Sequence, residues 1–87
     1  MTNEVTSMEK RIFREAFEFF ARHCCPPANH EENAVDWWTA AAKDVADVDC
    51  KWTEYPLMRG LLLAIYEYME YKAKEKTKEI DDFVQEQ

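Results

Sequence analysis

The sequence predicts an all-α fold, a small three-helix bundle with a long C-terminal helix, on three observations. Apolar residues recur at helical spacing in three blocks, no run alternates strictly between apolar and polar, and one Gly with three Pro leaves little material for hairpin turns. The 87 residues make one domain, with room for a core of three or four helices and too little for a large enclosed active site. At 47% apolar and 14% aromatic, the chain has the composition of a folded domain, not a disordered one.

Residues 1–5 read as a frayed lead-in. Thr6 followed by Glu9 is a capping box, in which a hydroxyl and a carboxylate satisfy free amides at a helix start. Helix 1 is expected over about 7–24, its inner stripe formed by Ile12, Phe13, Ala16, Phe17, Phe20 and Cys24. Phe19 and His23 fall at the edge of that stripe, and Arg11, Arg14, Glu18 and Arg22 face outward. Pro26 and Pro27 end the helix, since neither has a backbone N–H and each biases its predecessor away from helix.

Asn29 with Glu32 is a second cap signal, and Asn33 competes for the role. Helix 2 is expected over about 30–47, burying Ala34, Val35, Trp38, Ala41, Ala42 and Val45. Asp36, Ala40, Lys43 and Asp47 point outward. Trp37 falls at the boundary beside Asp44, either as an interface anchor or as a rim residue lying over the core edge. In the link to helix 3, Trp52 is expected to plug one end of the bundle, with Thr53 as a cap and Pro56 as the first helical residue.

Helix 3, over about 56–85, contains the most apolar run in the chain. Met58, Leu61, Leu62, Ile65, Tyr68 and Met69 form its inner stripe, while Leu63 lies opposite, so its middle needs cover on more than one face. Gly60 is either a tolerated weakness or a point of close helix approach. After Tyr71, Lys72 and Lys76 fall on the inner face and the core is expected to end. Ile80, Phe83 and Val84 return to that face, either on a projecting continuation that meets a partner or a second subunit or on a short fourth helix bent near Thr77. The absence of Gly and Pro after Gly60 favours the continuous helix.

The net charge of −7 is unevenly spread. Glu31, Glu32, Asp36, Asp44, Asp47, Asp49 and Glu54 face only Lys43 and Lys51 in the middle third. Phosphate backbones are repelled by such a segment, and a basic protein surface is attracted. No apolar run reaches the length of a membrane span, and the N-terminus lacks a basic region followed by an apolar one, so a soluble, cytoplasmic protein is expected.

Three cysteines, two of them adjacent, argue for reduced thiols and against a disulfide framework. His23, Cys24, Cys25, His30 and Cys50 are zinc-ligand types, but no Cys-x-x-Cys occurs and adjacent cysteines at a helix end point about 100° apart. A small zinc-binding protein is therefore a minor alternative, and no metal site or cofactor is assigned. A Cys–His nucleophile lacks a Gly-rich turn to supply oxyanion donors, and no phosphate loop or dinucleotide fingerprint is present. The chain is not expected to be an enzyme.

The aromatic-rich first helix, the Trp37–Trp38 pair opening the second and the stretch YPLMRGLLLAIYEYMEYK resemble short, uncharacterised helical proteins of prophages and mobile elements in Gram-positive gut bacteria. The resemblance spans roughly residues 10–74, implies an accessory phage-type protein and carries over no site residues. The expected function is non-enzymatic: Asp36, Trp37, Asp44, Asp47, Asp49 and Glu54 dock on a basic host protein that handles nucleic acid or serves defence. An anti-CRISPR-like inhibitor, its carboxylates occupying a phosphate-binding groove, is one form of it. The alternative is a self-associating helical module that dimerises through Leu63, Ile80, Phe83 and Val84.

Overall fold

The computed structural model describes residues 4–85, with side-chain surroundings through residue 78. It contains α1 (Ser7–Arg22), α2 (Ala34–Lys51) and α3 (Pro56–Gln85), and no strand occurs among the described residues. None of the described helices is long and apolar enough to cross a membrane.

The capping box forms as its sequence requires: the Glu9 amide donates to Thr6 Oγ1 at 3.1 Å and the Thr6 amide to Glu9 Oε1 at 2.8 Å. The helix closes at His23, whose amide donates to the Phe20 carbonyl, so Cys24 lies just outside it. Helix α2 begins at Ala34, later than the Asn29–Glu32 signal predicts. The reason is tertiary: Pro26, Pro27 and Ala28 are buried, and successive turns from Ala28 to Glu31 and Glu31 to Ala34 consume the residues expected to start the helix. Asn33 is the N-cap, without a side-chain bond.

At its other end α2 runs on to Lys51, because no breaker precedes Trp52. Pro56 opens α3 as predicted, whereas Thr53 lies in the preceding turn and does not cap it. Helix α3 is continuous over 30 residues, about 45 Å at 1.5 Å per residue. The broken alternative with a short fourth helix is not what the structure shows.

Side-chain partners fix the directions. Glu15 meets Lys51 and Arg22 meets Asp44, so α1 and α2 are antiparallel; Phe20 meets Tyr68 and, four residues on in each, Cys24 meets Lys72, so α1 and α3 are parallel. The core comprises Ile12, Ala16, Phe19, Ala41, Trp52, Met58, Leu62 and Met69. Burying each of the large ones contributes about 1.5–3 kcal/mol relative to exposure.

Three expectations about facing are corrected. On α1, Phe19 is fully buried while Phe13 and Phe17 are exposed. Apolar residues cover so much of this helix that periodicity alone does not locate the inner arc. Contacts of Glu15 and Arg22 with α2, on the side read as outward, rotate it. On α2, Val35 and Ala42 are exposed, and on α3 Tyr68 is half exposed. The core also continues past Tyr71, for Ala73 is buried. Lys72 donates to the Cys24 carbonyl, Lys76 to the Pro26 carbonyl at 3.1 Å, and the Asn29 amide to Thr77 Oγ1 at 2.7 Å. The α1–α2 link is thereby strapped along the part of α3 expected to overhang. Close approach at Gly60 is likewise not found: a Cβ there would meet nothing within 4 Å.

Candidate interaction surface

The acids expected to dock on a partner fall into two groups. Asp44 is half-buried and receives Arg22 Nε at 3.0 Å and His23 Nε2 at 2.8 Å. Partial burial opposes its ionisation, but the Arg22 and His23 hydrogen bonds outweigh that and hold the carboxyl below its ordinary value. Asp49 receives Arg59 through a two-pronged contact of 3.2 and 3.1 Å, which pushes the guanidinium further toward its charged form. Both are already engaged within the chain. Asp36, Asp47 and Glu54 are exposed and have no ion-pair partner among the described residues.

Trp37 sits at the rim. It packs partly buried on the core, edge-on to Trp38 at 4.8 Å and to His23 at 5.8 Å. Leu63 is 59% exposed and borders an open groove of about 360 Å³ between α2 and α3, together with Val45, Leu62 and Tyr66, with Asp49 and Arg59 also on its wall. Ile80, Phe83 and Val84 lie outside the residues whose side chains are described.

A different surface emerges from the rotation of α1. Phe13 (52% exposed) and Phe17 (67%) lead at helical spacing to Phe20, whose ring centroid lies 6.0 Å from Tyr68 of α3. Tyr68 (50%) stacks on Tyr71 (58%) at 6.4 Å. Leu57 and Ala64 continue the same line back along α3. The Lys72 ammonium stands 5.7 Å from both the Phe20 and the Tyr68 centroids, a cation set over the seam. Lys10 and Arg14 lie one step further round α1, exposed and without an acid partner among the described residues. The result is an aromatic face with basic groups along its α1 edge.

Half of four rings of about 200 Å² each leaves roughly 400 Å² of aromatic surface in water. That is within the range of functional patches, and about half of what one partner buries in a stable complex. Sequence reasoning missed this face by assigning Phe13, Phe17 and Tyr68 to the core. The available signal was the apolar excess itself, which is more than one bundle seam can absorb.

Other chemistry is sparse. Among the described residues no three His, Cys, Asp or Glu side chains converge as a metal site would require. All three cysteines are free, and Cys24 Sγ lies 3.4 Å from Cys25 Sγ in a thiol hydrogen bond. Lys51 donates to Glu15 at 2.8 Å and, against the effect of partial burial, holds that carboxyl below its ordinary value, with Trp52 and Arg11 adding to it. These contacts knit helices together. Comparison with family models, curated proteins and solved structures gives no match for this chain.

Proposed function

We propose that the chain is a non-enzymatic protein-interaction domain that binds through the aromatic face of α1 and α3. The observation that carries this reading is the row of Phe13, Phe17, Tyr68 and Tyr71 left in water while Phe19 and Met69 fill the core beside them. Aromatic side chains supply large contact area at small entropic cost, which is why they anchor interfaces. Lys10, Arg14 and Lys72 along the face favour a partner whose apolar surface is edged with carboxylates.

A second reading is favoured by the exposed Asp36, Asp47 and Glu54, which give α2 and its following turn an acidic outer side. In that reading this side docks on a basic surface of a phage host's nucleic-acid-handling or defence protein, as an anti-CRISPR-like inhibitor does. Capture from lysate over a range of salt separates the two. Partners held by the aromatic face persist from low to moderate salt and are lost on Phe17→Ser, whereas partners held by carboxylates dissociate as salt rises and are lost on Asp36→Asn with Asp47→Asn. Capture unaffected by both sets of substitutions contradicts both readings. Self-association is read in parallel by sedimentation, where a dimer lost on Phe17→Ser identifies a second copy as the partner.

A further inference from the structure

The adjacent thiols at the start of the strapped link form a unit that the interaction reading does not use. Cys24 and Cys25 follow the end of α1, and their sulfurs lie 3.4 Å apart. The backbone there is anchored, because Lys72 holds the Cys24 carbonyl and Lys76 the Pro26 carbonyl. The next two residues, Pro26 and Pro27, restrict the chain further. Two soft donors on a fixed backbone are a preformed chelate. Its bite angle decides what it holds: taking the roughly 2.3 Å bond of zinc thiolates as the scale, sulfurs 3.4 Å apart subtend about 95° at a common centre.

That angle is too acute for a linear two-coordinate cation and suits a pyramidal trivalent one. A tetrahedral zinc ion needs two further donors. His23 Nε2 is already bonded to Asp44 at 2.8 Å. Cys50 neighbours Lys51, which meets Glu15, nine residues and about 13 Å back along α1 from Cys24. The third position of the centre is therefore not filled by a third thiol. Lys72, which holds the Cys24 carbonyl, stands 5.7 Å from the Phe20 and Tyr68 ring centroids, so two rings lie in the neighbourhood of the thiols to receive an organic substituent instead.

We propose that Cys24 and Cys25 form a two-thiol site for monosubstituted trivalent arsenicals, R–As(OH)2. Two S–As bonds form and two As–O bonds break, each thiol proton leaving with a hydroxide as water; no oxidant or reductant takes part. The hydrogen bond to Cys25 pushes the Cys24 thiol up from its ordinary value, so this thiol brings the proton that one leaving hydroxide needs.

The test is titration of the reduced, folded protein with phenylarsine oxide, followed by free-thiol assay and intact mass. The expected result is one phenylarsenic group per chain, with titratable thiols falling from three to one. Cys50→Ser leaves affinity unchanged. Cys24→Ser and Cys25→Ser, each checked for folding by circular dichroism, weaken it about a hundredfold or more, the usual gain of a second tethered ligand. Cys25 is exposed, so its variant keeps the test valid if Cys24→Ser does not fold. Tight binding retained by Cys25→Ser, equal affinity in the urea-unfolded chain, or equal affinity for inorganic arsenite would each overturn the proposal.

Discussion

The indole nitrogen of Trp52 donates to Glu15 Oε1 across 3.2 Å, joining the end of α2 to the middle of α1. The same carboxylate takes Lys51 at 2.8 Å and Arg11 at 3.4 Å, while Arg11 and Lys51 also stand over the Trp52 ring at 5.5 and 5.7 Å. An aromatic plug with its one donor satisfied closes this end of the bundle. Trp52→Ala removes the plug and is expected to cost about 3–5 kcal/mol. Glu15→Gln keeps the shape but loses the charge, and is expected to cost about 1–2 kcal/mol. Urea denaturation midpoints measure both, and a cost for Trp52→Ala below that of Glu15→Gln would contradict this account of the bundle end.

Acid should destabilise the fold through three carboxyls. Glu9, Glu15 and Asp44 are all held below their ordinary values: Glu9 by the Thr6 amide and hydroxyl, Glu15 chiefly by Lys51, and Asp44 by Arg22 and His23 against the effect of burial. A carboxyl with a lowered folded-state value contributes stability that is fully present above its unfolded value, near pH 4. That stability is lost as pH falls through the folded value. Tm is therefore expected to hold above about pH 5 and decline steadily below pH 4, with a shallower decline in Glu15→Gln. A decline as steep in Glu15→Gln as in the parent removes Glu15 from this explanation.

Gly60 lies in the second turn of an exposed helix segment with open space where a Cβ would stand. Gly60→Ala is expected to stabilise the protein by about 0.5–1 kcal/mol, through helix propensity and a less disordered unfolded chain. A rise in Tm of several degrees by calorimetry would agree. A fall would mean that another helix approaches this surface.

The strap between the α1–α2 link and α3 carries its own prediction. Ala73 is buried in the part of α3 that Lys72, Lys76 and Thr77 bind to the link. Ala73→Leu has no room there and is expected to cost about 1–3 kcal/mol by overpacking. Hydrogen exchange in that variant should rise first at the Asn29 amide, which faces α3 through Thr77. Exchange there unchanged, with normal stability, would show that the link does not rest on α3.

Local chemistry made much of this fold legible from sequence. The Thr6–Glu9 box, the Pro26–Pro27 stop and Pro56 as first residue each act within a few residues, and the helices begin or end accordingly. The choice between Asn29 and Asn33 as the cap of α2 was not legible, because it turns on burial of Pro26 to Ala28 and on contacts of this link with Lys72, Lys76 and Thr77, residues distant in sequence. The facing of α1 was lost for a related reason. Ile12, Phe13, Ala16, Phe17, Phe19 and Phe20 are all apolar, and the choice between Phe17 and Phe19 is made by Glu15 and Arg22 reaching α2. For the acidic surface, sequence gave the charges but not their partners. Asp44 and Asp49 find Arg22, His23 and Arg59 only once the helices are antiparallel neighbours.

The rotation of α1 is the hinge of the functional proposal, and the stability of two phenylalanine variants measures it most directly. Phe17→Ser is expected to change the unfolding free energy by less than about 0.5 kcal/mol, as befits an exposed side chain. Phe19→Ala, two residues on and fully buried, is expected to lose about 3–5 kcal/mol in the same urea titration. Equal costs, or a larger one for Phe17→Ser, would place Phe17 in the core and leave no aromatic face for a partner to bind.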